Sequence, residues 1–320
     1  MKGQEIGRYD GWRGTTRRNL ALAATAAALL LTAVPASTST ATTTTTAAAS
    51  AACRIDAGAV RSTGDHRSQE FVGTSPATRA HDLNRALRIF EPNQVRLSTQ
   101  FEVRPAQGYQ VMTGHVVIGS VLYRITYPIE NGATRPWEVI VDRIGGGWGP
   151  FVTLTTSRRV SSESANATDR LYGLRDDGTL YRWTITNSTY RAAAYPGFGA
   201  IKTMTLLSRT STYDTLLLTT RAGALQTVRI PVTAPTRLAV KTVRTSTWQV
   251  FENLIGSPCG QSGTLVLGID KDTKLGYLYA VGHANGSATA IQSLGKVPGT
   301  FADPVDFRWA PYDAPPLFGE

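Results

Sequence analysis

A large aromatic residue returns about every 50 residues along this chain, each time beside Gly, Pro or Ser and each time ahead of a strand-like run. Trp148 stands in GGGWGPF, Phe198 in YPGFGAI, Trp248 in TSTWQVF and Phe301 in VPGTFAD. Between these anchors the content repeats. Residues 171–186 (LYGLRDDGTLYRWTIT) are two alternating strands around an Asp-Gly turn, the strongest short-range hairpin signal. Residues 215–230 repeat the design with Ala222-Gly223 in the turn, and residues 264–281 repeat it with a longer turn. Upstream, Val121–Ile125 echoes Thr179–Trp183. A further strand closes each unit, at 137–144, 189–195, 238–244 and 289–294.

Four strands per unit of roughly 50 residues is the signature of a β-propeller blade. Alignment of Leu122-Tyr123 with Leu180-Tyr181 places one more anchor near Phe90. Whole units then run 90–147, 148–197, 198–247 and 248–300. The remainders, 53–89 and 301–320, together make one more unit. The expected fold is therefore all-β, a five-bladed β-propeller with one blade shared between the N- and C-terminal segments. Residues 77–90 (ATRAHDLNRALRIF) interrupt the pattern. Leu83, Ala86, Leu87 and Phe90 recur at three to four residues, which predicts a short helix there.

The first fifty residues stand apart. Arg17-Arg18 precede a short apolar run, Leu20 to Val34, with a small-residue exit at 33–36. That order reads as an export signal over 1–36, of the twin-arginine type. The run is shorter than the roughly 20 residues a membrane helix needs. Residues 37–52 (STSTATTTTTAAASAA) are low-complexity and cannot build a core. The domain proper is expected over 53–320, secreted, monomeric and without a membrane span after processing. In that compartment the two cysteines, Cys53 and Cys259, are expected to form a disulfide. A lipidated Cys53 is the competing reading, but its surroundings lack the leucine that opens a lipobox.

The net charge of +10 falls to +7 once residues 1–52 are set aside, and the basic residues form no long run. This is not the dense basic face of a nucleic-acid binder. The Gly145-Gly146-Gly147 stretch follows a strand, as a dinucleotide loop would. What comes next is Pro150 and another strand, with no helix to hold a phosphate on its N-terminus. Glycine here serves a tight crossing between blades.

The stretch Arg143–Phe151 resembles the inter-blade signature of tachylectin-type lectins, roughly I-G-x-G-G-W-x-x-F. Leu122-Tyr123-Arg124, Tyr127-Pro128 and Trp137 precede it in the order that family uses, and Leu171–Arg182 is similar to its inner hairpin. The resemblance covers about 121–186. It implies a five-bladed propeller binding N-acetylated sugars between adjacent blades. It points to Tyr127, Trp137, Gly145, Gly146, Gly147 and Trp148 as the carbohydrate-binding residues, and to an N-acetylhexosamine-containing glycan as partner. The chain departs from the family in having Thr134-Arg135-Pro136 before Trp137, and Phe198 and Phe301 at later anchors.

Catalysis is not expected from the sequence. Asp176, Asp177, Asp270 and Asp272 fall in hairpin turns, where aspartate is ordinary turn chemistry. His66, His81, His115 and His283 lack metal-ligand spacing, and no cofactor motif is present. The readings that stay open beside the lectin are a cell-surface scaffold or protein-binding propeller, and, below it, a glycoside hydrolase.

Overall fold

The computed structural model describes residues 52–130, 138–158, 168–233 and 238–320. The expected export signal and linker, and Trp137, lie outside the described residues. The described residues form strands and turns with no helix. In chain order the strands are β1 Arg54–Val60, β2 His66–Val72, β3 Thr78–Ala86, β4 Val95–Ser98, β5 Phe101–Ala106, β6 Tyr109–Ile118 and β7 Val121–Glu130. There follow β8 Ile140–Gly146, β9 Phe151–Ser157, β10 Asp169–Arg175, β11 Leu180–Thr186, β12 Thr189–Tyr195, β13 Ile201–Arg209 and β14 Tyr213–Thr220. The last are β15 Leu225–Pro231, β16 Ala239–Arg244, β17 Asn253–Cys259, β18 Gly263–Asp270, β19 Leu275–Val281, β20 Ile291–Lys296 and β21 Val305–Pro311.

Three four-stranded antiparallel sheets run β9–β12, β13–β16 and β17–β20, each in sequence order. These are the units the hairpin signals marked out. The remaining strands form one nine-stranded sheet, in the order β3-β2-β1-β21-β5-β6-β7-β8, with β4 also on β6. Its two halves are joined as one sheet by the parallel pairing of β21 with β5 over Trp309–Pro311 and Phe101–Val103. In one half, β21 pairs antiparallel with β1, Val60 opposite Val305 and Gly58 opposite Phe307. A late strand thus completes a sheet begun by the first three. The innermost strands β4, β9, β13, β17 and β21 pack side by side in that cyclic order, and β21 returns to β4.

The aromatic anchors have one local job. Each donates its backbone N–H to the hairpin turn of the preceding unit: Phe90 to Gly64, Trp148 to Ser120, Phe198 to Gly178, Trp248 to Gly223 and Phe301 to Lys274, at 2.8–3.2 Å. The residue before the anchor takes a left-handed conformation at Gly147 (φ 86), Gly197 (φ 98) and Thr247 (φ 81). Glycine is preferred there because a Cβ is strained at positive φ. Each anchor ring then fills the space between sheets. Trp148 packs on Phe151 and Trp183, with centroids at 4.7 and 4.5 Å, and Trp248 packs on Tyr279 at 4.8 Å.

One local expectation fails. Residues 78–86 are strand β3, hydrogen-bonded along β2, and not a helix. Leu83, which the helical stripe would bury, is 45% exposed, and only Ala86 of that strand is buried. Pairing to an open sheet edge outweighs a weak helical preference.

Candidate functional site

The residues proposed from the sequence do not assemble into one pocket. Tyr127 lies within β7 and is fully buried, with its hydroxyl against His66 Nδ1 and its ring near Phe101. A ring with no exposed face cannot stack on a sugar, so its assignment to the binding site is corrected. Trp148 is also buried, in a different cluster with Leu122, Leu154 and Leu171. Its indole is packing, as burial of so large an apolar surface favours. Gly146 and Gly147 are exposed and Gly145 partly so, and all three form the crossing from β8 to β9. Trp137 lies outside the described residues.

One cavity lies among the innermost strands. It measures about 220 Å³ and takes residues from β4, β9, β13, β17 and β21. Its lining includes Ser98, Thr99, Thr153, Thr155 and Thr205 beside the apolar residues Met204, Leu206, Leu254 and Leu317. Alternation explains the mixture, since each inner strand turns successive side chains to opposite sides. Among its lining residues Val152 and Pro304 are exposed. Tyr312, Ala314, Pro315, Pro316 and Leu317 line a second cavity of about 50 Å³ together with Glu102 and Arg158, and Arg308 and Leu317 belong to both cavities. The segment continues as Arg209 N–H donates to Leu317 O and Gly319 N–H to Leu207 O.

Charged groups crowd the first cavity. Lys271, in the turn after β18, is ion-paired with Asp306 and donates to the carbonyl of Asp303 at 2.6 Å. Asn253 donates its amide to Asp306 Oδ2 at 3.1 Å. Glu252 accepts from the backbone N–H of Lys271 at 2.7 Å and pairs with Lys202. Burial raises the carboxyl pKa of Asp306, while Lys271 and Asn253 pull it back. Arg96 donates to the carbonyls of Phe151 and Trp148, which ties the cavity wall to the tryptophan anchor, and burial lowers its pKa. Arg308 is half-buried, with its Nε out of solvent and the residue on the cavity lining. Burial brings its pKa down to about 10, with Asp56 opposing.

Sequence reasoning missed these residues. Arg96, Glu252, Asn253, Lys271, Asp306 and Arg308 have no common spacing. One signal was available: β21 reads Val-Asp-Phe-Arg-Trp, with charge at alternate positions of an otherwise apolar strand. Among the described residues no group of three or more His, Cys, Asp or Glu could hold a metal ion, and no helix is long and apolar enough to cross a membrane.

No family model matches the chain, and no curated protein does. Solved structures do. An α-L-arabinofuranosidase from Podospora anserina, in complex with cellotriose, is 11% identical with a TM-score of 0.44, over 67% of this chain and 73% of that one. The SapL1 lectin, in complex with α-methyl fucoside, is 12% identical with a TM-score of 0.41, over 76% and 83%. A GH43_1 enzyme from Xanthomonas citri is 11% identical with a TM-score of 0.37, over 64% and 75%. Enzymes stand among these structures beside a lectin, and this overturns the sequence expectation of a chain without catalysis.

Proposed function

We propose that this chain is an exported, carbohydrate-binding β-propeller of five blades, and that a sugar unit binds in the axial cavity lined by its inner strands. Five anchor-to-turn hydrogen bonds and the cyclic packing of five inner strands support the blade count. In this reading the nine-stranded sheet is two blades joined by the short β21–β5 contact. Residues 1–36 are the export signal, 37–52 the linker and 53–320 the propeller. The disulfide between Cys53 and Cys259 suits an oxidising compartment.

The single observation that carries the binding reading is the lining of the cavity. Hydroxyl-bearing residues, an amide and charged groups stand beside apolar residues in a volume smaller than the ~300–1,000 Å³ typical of drug-sized ligands. A small polyhydroxylated ligand matches that surface in size and in hydrogen-bonding capacity. The Gly145–Trp148 corner is the scaffold beside it. NMR titration of the folded chain with hexoses, pentoses, fucose and N-acetylhexosamines tests the reading. At least one sugar should shift resonances of the cavity residues, and Thr155→Phe, which fills the cavity, should abolish the shift. No response to any sugar at tens of millimolar would sink it.

A hydrolase reading is favoured by one observation, that Glu252 and Asp306 line the same cavity. Two carboxylates facing one sugar are the requirement for glycoside hydrolysis. Release of the chromophore from aryl glycosides, lost in Asp306→Asn, would select it over binding alone.

A further inference from the structure

Of the cations on the cavity wall, Arg308 is the one that the protein leaves without an acceptor. Among the described residues no hydrogen bond or ion pair engages its guanidinium, and its Nε is buried without a partner. Asp56 acts on it only from beyond ion-pair distance. That carboxylate is held by Arg85 at 3.1 Å and by the hydroxyl of Ser68 at 2.5 Å. A buried N–H donor with no acceptor is costly, and on a guanidinium it marks a place that a ligand acceptor can fill. The charge balance of the wall agrees. Three cations (Arg96, Lys271 and Arg308) face two carboxylates (Glu252 and Asp306), and both carboxylates already have a lysine. Arg96 is committed to backbone carbonyls, which do not cancel its charge. Arg96 and Arg308 are thus both without a carboxylate, and of the two only Arg308 also lacks a hydrogen-bond acceptor, which a ligand carboxylate would supply.

From the guanidinium left without an acceptor on a cavity lined by serine and threonine residues, we infer that the axial site selects a sugar bearing a carboxylate, a hexuronate, with Arg308 as its specificity-determining residue. The inference rests on the carbohydrate reading above and narrows it. The guanidinium fork matches a planar carboxylate through two parallel N–H···O bonds, which neither a hydroxymethyl group nor a lysine can reproduce. The serine and threonine residues of the lining then meet the ring hydroxyls.

Isothermal titration of the folded chain with the methyl glycosides of galacturonate and glucuronate, of galactose and glucose, and with inorganic phosphate tests this. One uronate should bind at least tenfold more tightly than its neutral counterpart, and more tightly than phosphate. Arg308→Gln should remove that preference, and Arg308→Lys should restore only part of it. Thermal unfolding of Arg308→Gln should show a midpoint no lower than that of the parent, since the substitution removes a buried donor that has no acceptor. Equal affinity for acidic and neutral sugars overturns the inference and leaves carbohydrate binding standing. Phosphate binding as tightly as the uronate overturns it in favour of a bare anion hole. Absence of binding by every sugar fails both readings. The parent chain's ligand ratios decide the matter even if the Gln variant does not fold.

Discussion

Cys53 and Cys259 are bonded to each other, with Cα atoms 5.3 Å apart across 206 residues of chain. The bond joins the residue before β1 to the last residue of β17, and so ties the sheet completed by the late strand to its neighbour. Closing so long a loop stabilises by about 5 kcal/mol in the chain-entropy model, with 2–4 kcal/mol typical of measurement. Cys53→Ser/Cys259→Ser should therefore lose stability on that scale in denaturant titration. Unreduced, denatured protein should show no free thiol in a colorimetric assay.

Thr247 holds a position that glycine holds before two other anchors, at φ 81 with a β-branched side chain. Left-handed backbone costs such a residue roughly 1–2 kcal/mol, part of which glycine returns as unfolded-state entropy. Thr247→Gly should raise stability by up to about 1 kcal/mol, and Gly197→Thr should lower it. Paired urea titrations read both signs, and a destabilised Thr247→Gly would count against the repeated-anchor argument.

His66 and His115 are buried and neutral, each with its pKa lowered to about 3, chiefly by burial. His66 lies against the Tyr127 hydroxyl, and His115 Nε2 meets Tyr190 at 2.8 Å. The folded pKa of each is depressed, so the unfolded chain takes up protons that the folded chain refuses. Stability is full above pH ~6.5 and falls as the pH drops toward 3, by up to about 1.4 kcal/mol per pH unit for each histidine. Unfolding free energies at pH 7.5, 6 and 5 should show this slope, and His115→Gln should remove about half of it.

Lys271 neutralises Asp306, whose side chain is 3% exposed. Removing one member of such a pair strands the other, at a cost of about 3–5 kcal/mol, whereas replacing both with apolar groups is far milder. Lys271→Met should be strongly destabilising, and Lys271→Met/Asp306→Leu should regain most of the loss. A double-mutant cycle in guanidinium measures the coupling.

Much of the strand plan was legible in the sequence because hairpins announce themselves locally. Asp177 accepts from the Thr179 N–H and Asp270 from those of Asp272 and Thr273, ordinary turn bonds as their positions implied. Lys271, between two such turn aspartates, was passed over for that reason. The resemblance pointed to Tyr127 as a binding residue, yet Ile125, Tyr127 and Ile129 alternate inward along β7, and that period of two was the better guide. Strand β3 was misjudged because the open edge of β2 decides its state, and no local pattern reports a distant edge. The cavity was hidden for a related reason. Each inner strand adds only three or four residues to it, and the cyclic packing of strands far apart in sequence brings Arg96 to the same cavity as Asp306 and Arg308.

The pairing of β21 with β1 also orders events during synthesis. As the chain emerges, β1, β2 and β3 are free to pair early, but the inner edge of β1 carries unsatisfied N–H and C=O groups until the last strand has been made. An open edge is a template for pairing with other chains. Contacts between the first and last strands also rank among the slowest to form. A nascent chain halted before Val305 should therefore aggregate or recruit a chaperone, although three four-stranded sheets are already encoded in it. Truncation from that side should harm this protein more than the loss of a single strand would suggest.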